Sequence, residues 1–353
     1  MNLADQRKAI DHLDAEIIRL LNERTQRVLE IGGIKLKSKQ EIYAPHRELA
    51  VLERVAKLSK GPLPPNSLKA IYREVMSSAL ALQKSLTIAY LGPAATFTHL
   101  AAIRRFGSSL NFTPLKTIAD VFDEVTKERA DHGVVPVENS TEGVVTHTLD
   151  MFVDSPLKIV SQIVLPIQHC LVSRTRKSQI KRLYSHPQAL AQCRSWLQIN
   201  LPQAEIIEAS STTRAAELAS RNRNGAAIAS ALAAQLYKLE VVEQNIQDNA
   251  DNATRFLVLG RKDTPATGHD RTSLLMSVSD KVGALYEAIS VFRRQRINMT
   301  KIESRPSKRK AWEYYFFVDV DGHISTPKIA KAVTLLEQHC NFVKILGSYP
   351  NAE

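Results

Sequence analysis

The chain has 353 residues, too many for one compact domain, so two or three are expected. Hydrophobic residues are 44% and charged residues 24%, which excludes wholesale disorder; 13 Gly and 15 Pro are too few for collagen-like or low-complexity structure. No window reaches the roughly 18 apolar residues of a membrane helix. The opening MNLADQRKAIDHLDAE lacks the apolar core of a signal peptide, and a cytoplasmic protein is expected. Cys170, Cys193 and Cys340 are far apart and odd in number, which points to buried apolar thiols, not to a disulfide framework or a metal site. The net charge of +11 admits nucleic acid, a membrane surface or small anions as partners. Aromatics are only 6%, and the densest basic cluster, Lys308-Arg309-Lys310, falls in an expected hairpin turn. Nucleic acid and membrane are therefore not expected partners, and small polyanions remain.

Residues 1–86 read as all-helical. Ile10, Leu13, Ile17, Leu20, Ile31 and Ile34 recur at helical spacing over one long segment, roughly 5 to 38. Pro45 opens a second helix to about Ser59, and Asn66 or Ser67 caps a third that ends near Lys84. A helix of about 34 residues cannot bury its stripe alone, so a dimer pairing the long helices is expected. Arg24 shares the heptad position of Ile10, Ile17 and Ile31, where an unpaired charge is costly. Lys35 lies within about 20° of Arg24 on the same helix. Arg7 is about a quarter turn off that face, though a partner chain could present it. Arg47 and Glu48 open the second helix, and Gln83 closes the third. Surface charges that snorkel are the mundane reading; a cationic pocket for a dicarboxylate is the functional one.

Arg-x16-Arg-x10-Lys-x11-Arg-Glu with a late Gln on three helices resembles the helical chorismate mutase family. The resemblance implies a dimeric site for a pericyclic rearrangement of chorismate to prephenate, needing no acid, nucleophile or metal, only a held conformer and donors at the ether oxygen. It implies Lys35 and Gln83 as those donors, Arg7 (from the other protomer), Arg24 and Arg47 as carboxylate clamps, and Glu48 at the hydroxyl. Ala44 and Ala79 stand where the family has an acidic and a hydroxyl residue.

Residues 87–265 alternate short apolar strands with helical stretches, an α/β layered pattern with parallel strands expected. Polar groups gather at element ends: Gly92-Pro93-Ala94-Ala95-Thr96-Phe97-Thr98, Val135-Pro136-Val137-Glu138-Asn139-Ser140, Ser185-His186-Pro187-Gln188, Ser210-Ser211-Thr212-Thr213 and Thr254-Arg255-Phe256. Singly each is an ordinary cap. Thr254 and Arg255 should point to opposite faces of a strand. Neither GxGxxG nor a P-loop occurs, so nucleotide is not expected. These motifs, in this order, resemble prephenate dehydratase, with Ala95 where that family has glycine. The resemblance implies a two-lobed, periplasmic-binding-like fold with the site in the interlobe cleft. It implies that prephenate loses CO2 and water there, with Thr254 essential. Glu138 is a candidate proton source if burial raises its pKa, with His186 ranked second to it. Asn139, Ser185, Gln188, Ser211, Thr212 and Thr213 would bind substrate.

Lys262–Gly268 reads as a linker, and residues 271–349 follow a βαββαβ, ferredoxin-like order. Gly283-Ala284-Leu285 and Glu303-Ser304-Arg305-Pro306 resemble the phenylalanine-binding segments of an ACT domain. That resemblance implies L-phenylalanine as an allosteric ligand. The expected whole is a multidomain, bifunctional enzyme acting on chorismate and prephenate without cofactor or metal, a homodimer or larger. A sensor that binds amino acids without dehydratase turnover is the alternative; Glu138, Asn139 and Thr254 together weigh against it.

Overall fold

The computed structural model describes residues 2–38, 41–308 and 313–351. Arg309 and Lys310 of the basic turn, and Trp312 of the expected strand after it, lie outside the described residues.

The chain divides into two units. One runs through Thr87 and takes in Phe106–Asn111. It holds α1 (Leu3–Lys37), α2 (Pro45–Leu58) and α3 (Pro65–Gln83). Asn2 and Asp5 form a reciprocal capping box at the start of α1. α3 begins at Pro65 behind Pro64, earlier than the Asn66 or Ser67 cap expected from sequence. A proline at a first helical position has its φ preset and no N–H to satisfy, so no side-chain cap is required. Ile42, Tyr43, Val51, Leu52, Val55 and Ala79 form the buried interior. The α1 stripe is not part of it: Ile10, Leu13, Ile17, Leu20, Ile31 and Ile34 are each more than half exposed.

The second unit carries, in order, β1 (Thr87–Leu91), α4 (Phe97–Phe106), β2 (Asn111–Leu115), α5 (Ile118–Thr126), β3 (His132–Asn139), β4 (Gly143–Val144), α6 (Thr146–Asp154), β5 (Lys158–Pro166), β6 (Cys170–Ser173), β7 (Arg182–Ser185), α7 (Pro187–Gln192), α8 (Arg194–Asn200), β8 (Glu205–Glu208), α9 (Thr212–Ser220), β9 (Gly225–Ala229), α10 (Ala231–Tyr237), β10 (Glu240–Glu243) and β11 (Ala253–Gly260). These strands make two sheets, β2-β1-β3-β11-β5 with β4 beside β3, and β10-β6-β9-β7-β8. Each sheet supports one lobe. The sheets are mixed, not parallel throughout as expected. β1 runs parallel to β3, and β7 to β8 and β9, but β11 is antiparallel to both β3 and β5. The reason is topological: the chain crosses to the second lobe after β5 and comes back as β11, which inserts between β3 and β5 from the opposite end.

The remaining elements are β12 (Asp270–Ser277), α11 (Ala284–Arg294), β13 (Met299–Pro306), β14 (Tyr314–Asp321), α12 (Pro327–Glu337) and β15 (Phe342–Pro350), with sheet order β13-β14-β12-β15. This is the βαββαβ arrangement. Leu275, Tyr315, Phe317, Leu346 and Tyr349 of this sheet share one buried cluster with Val135, Val137, Ile159, Leu257 and Leu259 of the first sheet. The expected linker is correspondingly pinned. Thr264 is buried, its Oγ1 donates to the Ser348 carbonyl at 2.6 Å, and its carbonyl accepts from His323 Nε2 at 2.8 Å.

β15 approaches β5 so closely that a Cβ on Gly347 would lie 2.2 Å from the Ile159 carbonyl oxygen. Gly347→Ala must therefore part the two strands. It should lower the urea-unfolding free energy by about 2 kcal/mol. An unchanged urea midpoint would mean that this contact bears no load.

Candidate functional site

Two separate sets of polar residues emerge, one in each unit. In the helical unit the second half of α1 meets the end of α3. Gln83 Nε2 donates to the Val28 carbonyl at 2.9 Å. The contact requires Gly32, where a Cβ would lie 2.9 Å from Gln83 Cγ. Lys35 Nζ donates to the Ile42 carbonyl at 3.0 Å, just ahead of α2. Burial lowers the Lys35 pKa, with Glu41 opposing. Burial also lowers that of His46, helped by the positive charges of Lys35 and Arg47, so those two cations flank one imidazole. Arg24, one turn before Val28, keeps a buried Nη1 without a hydrogen-bond partner among the described residues. Glu48 is half-buried in the first turn of α2 and Arg47 is exposed. Arg7 is also exposed. Seventeen residues of helix put it about 25 Å from Arg24, too far to join this cluster on its own chain.

The second set lines a cleft of about 300 Å3 between the two lobes. Of the residues expected there, Asn139, Gln188, Ser211, Thr212 and Thr254 line it, as does His186. Thr96, Phe97, Thr98, His169, Gln192, Ser210 and Phe256 join them. Among the described lining residues there is no Lys, Arg, Asp or Glu. An anion here would meet neutral donors and the positive ends of α4 and α9, not side-chain cations.

Three expected residues stand elsewhere. Ser185 is fully buried behind the cleft, its Oγ donating to the His186 carbonyl. Thr213 is 1% exposed and packs in the first turn of α9 beneath Ser211 and Thr212. Glu138 is the larger correction. Strand alternation sends Asn139 and Thr254 to the cleft and Glu138 and Arg255 to the reverse face. There Glu138 Oε2 takes a hydrogen bond from Lys301 Nζ at 2.6 Å. A carboxylate paired on the far side of the sheet cannot reach a substrate proton, so Glu138 is not the acid of this cleft. Ala95 does not crowd the cleft either. Its methyl packs in the alanine-rich core of the second lobe, and its N–H donates to His99 Nδ1 at 3.0 Å.

One hydrogen-bond chain fixes the cleft's polar floor. Asn139 Oδ1 accepts from the backbone N–H groups of Thr141 and Glu142, at 2.9 and 3.0 Å. Its amide nitrogen must then face the other way, and it donates to Thr254 Oγ1 at 2.8 Å and to Asn252 Oδ1 at 2.9 Å. Asn252 Nδ2 donates to Gln192 Oε1 at 3.0 Å, which also accepts from His169 Nε2 at 2.8 Å. His169 is 3% exposed, and burial depresses its pKa against the pull of Gln192, which favours the neutral imidazole. His169 and Gln192 carry no local motif. Only the fold brings them to Thr254.

In the third sheet's domain, Gly283 caps α11 at φ 82°, with open space where a Cβ would stand. Ala284 is buried and Leu285 half-buried behind it. Glu303, Ser304, Arg305 and Pro306 end β13 with alternating exposure: Glu303 and Arg305 half-buried, Ser304 and Pro306 exposed.

Residues 6–84 match the type II chorismate mutase family, 88–264 the prephenate dehydratase family and 272–334 the ACT domain family. The chain is 50% identical over 355 residues to the bifunctional chorismate mutase/prephenate dehydratase of Aquifex aeolicus, covering 99% of this chain and 98% of that one. It is 46% identical to the enzyme of the same name from Neisseria gonorrhoeae, over 99% and 97% of the two chains. Among solved structures, the prephenate dehydratase of Arthrobacter aurescens in complex with L-Phe is similar at a TM-score of 0.70 and 34% identity, over 76% of this chain and 90% of that one.

Proposed function

We propose that the two polar sites of this chain, which belongs to the bifunctional chorismate mutase/prephenate dehydratase family, work as follows. The helical unit isomerises chorismate to prephenate. The interlobe cleft converts prephenate to phenylpyruvate with loss of CO2 and water.

For the first step the reading assigns Arg24 and Arg47 to the substrate carboxylates, Glu48 to its hydroxyl, and Lys35 and Gln83 to the ether oxygen. Both donors are held by backbone carbonyls, which leaves each with N–H to spare for substrate. A rearrangement that breaks and forms bonds within one molecule gains from such preorganised donors as charge grows on oxygen. Arg7 would serve the site of a second copy. The exposed apolar stripe of α1 supports a dimer that covers it. Three free cysteines fit a reducing, cytoplasmic compartment.

For the second step one observation carries the reading: Asn139 donates to Thr254 Oγ1. The threonine oxygen is already an acceptor, so its own proton is free to be donated into the cleft. There it would meet the ring hydroxyl as that group departs. As the ring carboxylate leaves as CO2, its bonding pair enters the ring and expels that hydroxyl, which leaves as water with one proton taken up from solvent; a hydrogen bond to the leaving oxygen is therefore worth most in the transition state. Gln188, Ser211 and Thr212, with the N-termini of α4 and α9, would hold the two carboxylates. The L-Phe complex of the Arthrobacter enzyme supports L-phenylalanine as the ligand of the C-terminal domain here, at Gly283–Leu285 and Glu303–Pro306.

Purified protein given chorismate should release phenylpyruvate. Thr254→Ala should stop at prephenate, with dehydratase turnover down at least about 100-fold and mutase unchanged. Lys35→Ala should show the converse; equal loss of both activities in either variant would refute two independent sites. Gly32→Ala should displace Gln83 and cut mutase turnover about tenfold, even though alanine favours the helix by about 1 kcal/mol. A melting temperature that does not fall, alongside lost mutase, is the expected pair of results. Unchanged mutase would remove Gln83 from its assigned role.

A further inference from the structure

The strands that carry Asn139 and Thr254 present their reverse face to the C-terminal domain. Asn139 lies opposite Thr254 across the β3–β11 ladder, and Glu138 opposite Arg255. Arg255 is held on three sides: Nη1 donates to Asp319 Oδ2 at 2.7 Å, Nη2 to Tyr349 Oη at 2.9 Å, and Nε to Gln162 Oε1 at 2.9 Å. Ser273 Oγ completes Asp319 at 2.5 Å. With side chains 12% and 10% exposed, Arg255 and Asp319 form a closed pair that is costly to open. The contact with β13 is different. Lys301 and Arg305 project from the same side of that strand as Glu303. Lys301 pairs with Glu138, and Arg305 Nη2 with Asp150 on α6 at 3.2 Å. Glu138 Oε2 also lies 3.9 Å from Arg255 Nη1, and its side chain stays 37% exposed against 14% for Lys301, so this pair is the more open of the two. Ser304 and Pro306, on the opposite side of the same strand, face away from the dehydratase lobe.

We propose that the Lys301–Glu138 pair is the coupling element through which L-phenylalanine, bound at the Glu303–Pro306 end of β13, acts on Asn139 and Thr254, with Arg255–Asp319 as the fixed pivot. The proposal rests on the regulatory reading above and adds the route. A ligand drawing on one side of β13 shifts the side chains of the other side with it, because a strand moves as a unit. The buried pivot holds β14 against β11, so the displacement falls on the looser Lys301 contact. Glu138 is covalently next to Asn139, whose orientation sets that of the Thr254 hydroxyl. Lys301 and Glu138 are thus positioning residues, one in each domain.

The test uses the full-length protein with Lys301→Met, which keeps the stem and removes the charge, and Lys301→Arg, which keeps the charge. L-Phe binding is read by calorimetry and inhibition by prephenate turnover. Lys301→Met should bind L-Phe within about threefold of the parent affinity while half-inhibition needs at least about tenfold more of it; Lys301→Arg should restore sensitivity. Glu138→Gln should give the same uncoupling from the other side. Parent-like inhibition in Lys301→Met and Glu138→Gln, or inhibition and binding lost in parallel, would overturn the coupling. If the parent protein bound no L-Phe, the regulatory reading would fail and the coupling with it.

Discussion

Asn139 can face Thr254 in only one way. Two backbone N–H groups claim its carbonyl oxygen, so its nitrogen turns to the threonine oxygen, which leaves the threonine's own proton available to the cleft. Much of the second unit serves this small constraint. The β3–β11 ladder brings the two residues opposite each other, and the Ser140–Glu142 turn supplies the N–H groups. Asn252, Gln192 and His169 extend the chain into the other lobe. With no Lys, Arg, Asp or Glu among the described lining residues, the orientation of dipoles in this cleft gains weight.

The same two strands divide the labour between their faces. One face presents hydroxyl and amide groups to the cleft; the other presents Glu138 and Arg255 to the C-terminal domain. Strand alternation makes the separation automatic, and a shift of register by one residue would exchange the roles. The third sheet is thus part of the dehydratase support as well as a regulatory appendage, as the shared core around Leu275, Leu346 and Tyr349 indicates. The helical unit solves its problem differently, with charged side chains on α1 and α2 and a glycine that admits the amide of Gln83 from α3.

The order of domains, the long first helix and the βαββαβ unit were legible because each rests on local periodicity. So were Thr254 and Asn139, at the ends of strands flanked by recognisable motifs. Three things were not. The antiparallel return of β11 is a topological fact with no local sign. His169 and Gln192 reach the site only through tertiary folding. Glu138 misled because residue type suggested an acid, while its direction depends on the strand's phase relative to Asn139. That phase was in principle readable: if Thr254 and Arg255 must diverge on one strand, so must Asn139 and Glu138 on its neighbour.

The most direct measurement is the dehydratase turnover of Asn139→Asp. The change is nearly isosteric and leaves an oxygen for the N–H groups of Thr141 and Glu142, but it replaces the donor facing Thr254 with an acceptor that would draw the threonine proton to itself. Turnover of prephenate should fall at least about 100-fold with chorismate mutase activity intact. Turnover within a few-fold of the parent would contradict the claim that this single orientation aims the Thr254 hydroxyl.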